Sequence, residues 1–284
     1  MSSSVGTIPR IGAKPAKKVR RGKARSKLPR VIGLTYLGLL LAAPVAMVGF
    51  RTFEDGITPV IDSLTTPEAQ HAFWLTFVMV AVAVPLNTIF GVVTALLIVR
   101  KRFPGKPFLN ALIDLPFAVS PVVVGLALIL AYGNNSDIGG WLVNNGIEVI
   151  FTPLGMILAT IFVSLPFVVR EVVPVLNEIG TEQEEASETL GANSWQTFWR
   201  VTLPAIRWGV AYGVVLTTAR ALGEFGAVSV VSGKLVGQTE TLTLRVDERF
   251  EHFDMVGAYS ASIVLAVMAL ATLLAMNVFK KEDS

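Results

Sequence analysis

Long uninterrupted apolar runs alternate along the chain with short polar stretches, and most of the runs lack the polar stripe of a soluble amphipathic helix. At 1.5 Å rise per residue, about 20 residues cover the roughly 30 Å hydrocarbon core of a bilayer. Six runs meet that length: Val31–Phe50, Ala72–Val99, Ala111–Tyr132, Val149–Val169, Trp208–Val231 and Met255–Phe279. They predict an all-α polytopic membrane protein with six transmembrane helices. Pro44, Pro85, Pro116, Pro121 and Pro166 fall inside them. Each proline removes a backbone hydrogen bond, which favours a packed bundle of bent helices in which neighbours satisfy the freed carbonyls.

Composition fits this reading: 52% of the 284 residues are hydrophobic and only 16% are charged, against about 25% charged in soluble domains. The formal net charge of +3 is set by one end. Ten of the 24 Lys and Arg lie between Arg10 and Arg30, with no acid among them. This basic, Ser/Gly/Pro-containing stretch of residues 1–30 is expected to be a disordered cytoplasmic tail that touches anionic lipid. It has no aromatic residues to stack on bases, so nucleic acid is not expected as a partner. A signal peptide is the alternative for this end, but a run of about 20 residues exceeds the roughly 7–15 of a signal core. With no cysteine, disulfides and thiolate metal sites are excluded.

Charge orients the bundle. The basic tail, Arg100–Lys106 and Lys280-Lys281 all fall on one side if six runs cross, and the basic-poor stretches 51–71 and 133–148 fall on the other. By the positive-inside rule the basic side is cytoplasmic, which places both termini there, including residues 280–284. Five crossings would break the agreement. The domain expected is a six-span unit over residues 31–279 carrying one long cytoplasmic loop, residues 178–205.

That loop is the polar exception. Thr181–Pro204 holds Glu182, Glu184, Glu185 and Glu188, then Gly191, then Trp195, Phe198 and Trp199. A helix over Glu178–Leu190 is expected, with Thr181 as N-cap and Glu184 at capping-box spacing. Gly191 supplies the stop, and Ser194 starts a second helix. The bland reading of such a hairpin is an amphipathic element lying on the membrane. Two further charges stand out inside the fifth run. Arg220 and Glu224, at i,i+4 spacing, can pair on one helix face. Ionisable residues there cost about 2.5–3.5 kcal/mol on insertion scales and so face a partner or a cavity. They are either a buried pair locking the bundle or a pathway site at which Arg220 meets an anion. Asp114, near the start of the third run, can reach water or Arg100–Arg102. His71 and His252 lie far apart in polar loops and suggest surface roles.

The loop resembles the EAA loop of bacterial ABC import permeases: Glu185-Ala186-Ser187, then Gly191, then Val201-Thr202-Leu203-Pro204, with Ser187 in place of the second alanine. The stretches LIDLPFAVSPVVVGL, SLPFVVREVVPVL and YGVVLTTARALGEFGAVSVVSG look like the sulfate/thiosulfate importer permeases, and among them the W-type chain. Molybdate importers share the last segment type. The resemblance implies a type I ABC importer permease-like bundle in a bacterial inner (plasma) membrane. It implies a heterodimer with a second permease chain, two ATPase subunits and an extracytoplasmic sulfate-binding protein. It places Glu185, Ala186, Ser187, Gly191, Leu203 and Pro204 at the ATPase contact, with Glu185, Ala186 and Gly191 foremost. A short convex knob with small residues suits such a contact. The chain has no G-x-x-x-x-G-K-[ST] phosphate loop, since Gly233-Lys234 is followed by Leu235. ATP and Mg are therefore expected on the partner subunits, with no cofactor, metal or catalytic residue on this chain. A secondary transporter using Arg220 and Glu224, or a non-transporting scaffold or receptor, remain as other classes.

Overall fold

The computed structural model describes residues 28–282, with side chains from residue 31 to 274. The expectations for the basic tail up to residue 27, and for the side chains of Lys280 and Lys281, lie outside the described residues. The described elements are all helical. In chain order they are α1 (Leu28–Phe53), α2 (Thr58–Leu64), α3 (Pro67–Arg100), α4 (Lys106–Ala118), α5 (Pro121–Tyr132), α6 (Asp137–Asn144) and α7 (Pro153–Ile179). Then follow α8 (Glu182–Thr189), α9 (Ser194–Thr197), a π-helical turn (Phe198–Thr202), α10 (Leu203–Leu222), α11 (Gly226–Val231), α12 (Leu242–Glu251) and α13 (Met255–Glu282). Two compact units divide at residue 45. The first shows most of α1, a continuous helix containing Pro44. The second holds everything from Ala46 on.

In the second unit α7 lies between α3 and α10. Val168 is where they meet: a Cβ added to Gly91 of α3 would lie 2.6 Å from Val168 Cβ, and one added to Gly213 of α10 would lie 2.8 Å from Val168 Cα. Absent side chains at two glycines let three backbones approach, the usual device for joining helices in lipid. Val92, Ala95, Ile98, Val172, Leu176 and Ile206 extend this core toward the hairpin end. Leu75, Met79, Met156, Val163 and Val228 form the core at the other end. Outward-facing Phe77, Ile89, Val93, Leu130 and Val267 are exposed. Lipid is an apolar solvent, so large side chains need not turn inward.

Among the described residues four helices are long and apolar enough to cross a membrane: the 31–53 part of α1, α3, α7 and, over Met255–Leu274, α13. The number rises to five if the bent pair α4 and α5 forms one span. Six is therefore not reached on length and apolarity. The third run is two helices bent by 114°. The break falls at Ser120, extended at φ −60°, ψ 135°, because a following proline disfavours the helical region for the residue before it. Pro116 stays inside α4. The fifth run is also interrupted: α10 stops at Leu222 and α11 begins at Gly226. The fourth extends ten residues beyond Val169 to Ile179, so Arg170 lies well inside a helix. Residues 241–246, TLTLRV, alternate polar and apolar positions as a strand would, yet they form the start of the amphipathic helix α12, capped by Thr241, which accepts from the Leu244 N–H.

Candidate functional site

The polar loop is a helical hairpin whose caps differ from those expected. Gly180, at φ 63°, separates α7 from α8, so one helix over Glu178–Leu190 does not form. Thr181 makes no side-chain cap on the backbone. Its hydroxyl donates instead to Glu185 Oε1 at 2.7 Å. Glu184 is not a capping-box partner either. Its carboxylate lies 2.9 Å from Arg100 Nε and accepts from the Thr202 hydroxyl at 2.8 Å. Gly191 does stop the helix, at φ 88°. Its N–H donates to the Glu188 carbonyl at 2.9 Å and that of Ala192 to the Ser187 carbonyl at 3.1 Å. These are the paired bonds of a Schellman ending. The second helix is capped one residue earlier than Ser194. Asn193 Oδ1 accepts from the Gln196 N–H, and Gln196 Oε1 accepts from the Asn193 N–H. This is a reciprocal capping box.

Pro204 neither ends a helix nor starts one alone, since the helical path runs on from Ser194 to Leu222. A proline inside it would clash with the carbonyl of Arg200 four residues back. The π-turn at Phe198–Thr202 widens the path just there.

The two halves of the hairpin enclose a groove of about 810 Å³, lined among others by Ala186, Ser187, Leu190, Gly191, Arg200 and Pro204. The inner side of the hairpin is thus a concavity between its two helices. Ala186, Ser187, Gly191 and Pro204 share it, whereas Glu185 does not line it. Leu203, at the start of α10, packs against the core around α7. Ser187 and Thr197 hydroxyls sit 3.0 Å apart and tie the halves together. Leu190, at the tip, is 88% exposed. In the sequence Leu190 marks only the end of the expected helix, although a leucine beside a helix-stopping glycine on a polar loop is itself a signal of an apolar tip. Trp195, Phe198 and Trp199 form an edge-packed aromatic cluster with both tryptophans exposed.

Arg100 anchors the hairpin. It is the last residue of α3, and its Nη1 donates to the Leu176 carbonyl at 3.2 Å and its Nη2 to that of Gly180 at 2.6 Å. With Glu184, one guanidinium holds α3, α7 and α8 together.

Arg220 and Glu224 are brought together, with Nη1 2.5 Å from Oε2. The carboxylate side chain is only 1% exposed. Its Oε1 also accepts from the Ala227 N–H at 2.8 Å, and the Glu224 carbonyl accepts from the Thr243 hydroxyl at 2.9 Å. Glu224 thus fastens the break between α10 and α11 to α12, a structural task. Arg220 remains partly open. Two further ion pairs had no sequence signal, because their partners are not neighbours on one helix face. Arg170 grips Asp114 with two bonds, Nε to Oδ1 at 2.8 Å and Nη2 to Oδ2, so Asp114 reaches neither Arg100 nor Arg102. Arg245 and Glu240 pair at 3.2 Å with both side chains 2% exposed, and Arg245 also donates to the Thr66 hydroxyl. Burial pushes the Glu240 carboxyl above its ordinary range, against the pull of Arg245. His71 Nε2 lies 2.9 Å from the Gln238 carbonyl.

Residues 87–281 match the family of binding-protein-dependent transport system inner membrane components. The chain belongs to this family. The permease is 52% identical over 254 residues to the sulfate transport system permease protein CysW of Synechococcus elongatus, covering 88% of this chain and 89% of that one. It is 38% identical over 244 residues to the sulfate transport system permease protein CysT of Escherichia coli K12, covering 86% and 88%. Its fold matches a chain of a bacterial alginate ABC transporter, solved in complex with an alginate pentasaccharide-bound periplasmic protein. The TM-score is 0.74 at 17% identity, over 90% of this chain and 92% of that one. The permease is therefore a multi-pass membrane protein with an ABC importer permease fold.

Proposed function

We propose that the permease is the W-type membrane subunit of an ATP-driven importer for sulfate or thiosulfate. It supplies half of the translocation pathway, and a second permease chain supplies the other half. The observation that carries the reading is the 52% identity to a CysW sulfate permease over 88% of the chain, against 38% to a CysT protein.

Two ATPase subunits bind ATP and Mg, and one of them seats against the Ala186–Gly191 groove. An extracytoplasmic sulfate-binding protein delivers the anion to the opposite face. Six crossings with both termini in the cytoplasm of a bacterial plasma membrane are supported by the basic clusters. The α4–α5 pair and the α10–α11 pair then count as the third and fifth. At 20 residues α10 alone is long enough, since about 20 residues span the hydrocarbon.

Uptake of labelled sulfate by cells lacking this chain, with and without it restored, tests the reading. Thiosulfate and molybdate serve as competitors. Restoration of uptake that thiosulfate inhibits is expected. Restored molybdate uptake without sulfate uptake would move the substrate assignment, and sulfate uptake by vesicles holding no ATPase would end it.

A further inference from the structure

Asp114 and Phe117 are one turn apart on α4, and Phe167 and Arg170 are one turn apart on α7. The helices run antiparallel, so these four residues form two rungs of one seam. One rung is the bidentate Asp114–Arg170 pair. The other is the edge-to-face pair Phe117–Phe167, with ring centroids 5.4 Å apart at 87°. The Asp114 and Arg170 side chains are 47% and 37% exposed, and Phe117 is exposed as well. Both charges lie within apolar helices. An ionised pair half open to lipid is disfavoured, so this face looks onto water or a partner chain.

The 114° break between α4 and α5 follows Phe117 by two residues. If α4 turned about that joint, both rungs would part together, opening an aromatic constriction and a charged point in one movement. The guanidinium fork that grips a carboxylate also matches a tetrahedral oxyanion. A bare arginine would hold a dianion too long for passage, and a competing carboxylate on the facing helix limits that residence.

We propose that the Asp114–Arg170 pair is an anion-handling point on the translocation pathway. Arg170 takes a tetrahedral oxyanion in transit, Asp114 holds the fork between passages, and the Phe117–Phe167 rung closes the path to water. This rests on the transporter reading above.

The chain has no cysteine, so Phe117→Cys in the assembled importer, reconstituted in vesicles, carries a single reactive thiol on this subunit. A membrane-impermeant, positively charged thiol reagent should modify it, and sulfate with ATP should change the rate severalfold. An unreactive thiol, covered by lipid or a partner helix, overturns the proposal. In a second arm, Arg170→Lys keeps the charge and loses the fork. Sulfate turnover should fall about tenfold with ATPase association unchanged. The exchanged pair Asp114→Arg/Arg170→Asp should assemble but leave uptake low, whereas full uptake in either variant would reduce the pair to a brace. Thiol labelling needs no substrate. Wild-type vesicles that fail to take up sulfate therefore count against the transporter reading, and an unreactive thiol counts against the seam.

Discussion

Arg100, at the end of α3, and Glu184, on the first turn of α8, are joined 2.9 Å apart across a sequence separation of 84 residues. The pair is largely buried, and each member has a second duty. Arg100 also holds the carbonyls of Leu176 and Gly180, and Glu184 also accepts from Thr202. A force on the hairpin therefore reaches α3 and α7 through one guanidinium. Glu184→Gln removes the charge and leaves Arg100 half paired. A loss of about 1.5–3 kcal/mol in hairpin docking is expected, the range for hydrogen bonds to charged groups. A glutamyl-specific protease should then cut at Glu182, Glu185 or Glu188 faster in the variant than in the wild type. Equal cutting rates would show that the docking rests on other contacts. Arg100→Glu with Glu184→Arg should not restore the protection, because a carboxylate at residue 100 cannot donate to the Leu176 and Gly180 carbonyls.

Gly191 acts through its backbone alone. A Cβ built there meets nothing within 4 Å, yet φ is 88°. A non-glycine residue held in such a region costs on the order of 1–3 kcal/mol, most for β-branched side chains. Gly191→Val should loosen the turn between α8 and α9 and abolish co-purification of an ATPase subunit. Gly191→Asn, which tolerates left-handed geometry, should retain most of it. Equal loss in both would point to a side chain blocking the groove instead of strain in the turn.

How much of this was legible depended on range. Gly191 as a stop and the apolar runs are local signals, and they appear where the residues stand. Which proline breaks the third run is not local in the same way. Pro116 and Pro121 look alike in sequence, but Pro121 begins a new helix after an extended Ser120 while Pro116 is carried within α4. Glu184 shows the limit most clearly. Its spacing from Thr181 suited a capping box, but Arg100 of α3 offered a stronger, charge-assisted partner. The same holds for Asp114 and Arg170, 56 residues apart. Packing, not spacing, brought each acid to its base.

Glu240 makes stability depend on pH. Burial raises its pKa above the ordinary carboxylate range, with Arg245 opposing. Between the unfolded and the raised folded value the native state binds more protons than the unfolded state. Stability is then highest below the unfolded value and falls as pH rises through the folded one. Replacing a buried ion pair by neutral, well-packed residues is often neutral or stabilising by about 1–4 kcal/mol. The double variant Glu240→Gln/Arg245→Met should therefore lose this slope, and its Tm in detergent should gain on the wild type as pH rises. The single Arg245→Met should lose stability at higher pH, because it strands a carboxylate. Parallel Tm–pH curves for wild type and double variant would refute the assignment.

Gly91 and Val168 set the spacing of α3 on α7. A Cβ at residue 91 would sit 2.6 Å from Val168 Cβ and 2.7 Å from its Cγ1, closer than real carbons approach. Gly91 lies within α3, where alanine is otherwise the better helix former by about 1 kcal/mol. Helix propensity and packing therefore oppose each other. Overpacking of a tight contact costs about 1–3 kcal/mol, so packing should win and Gly91→Ala should lower Tm. The contact identifies the suppressor. Val168→Ala removes Cγ1 but leaves Cβ at 2.6 Å, and it should not rescue. Val168→Gly removes both atoms and should restore part of the loss, less the penalty of a second helical glycine. Gly213 complicates the rescue in a useful way, because its Cβ would meet Val168 Cα, at 2.8 Å, an atom that no substitution removes. Gly213→Ala should therefore be destabilising in every Val168 background. Thermal melts of the six combinations at each glycine decide it. Rescue of Gly213→Ala by Val168→Gly would mean that the helices slide apart at little cost and that Val168 does not set their spacing.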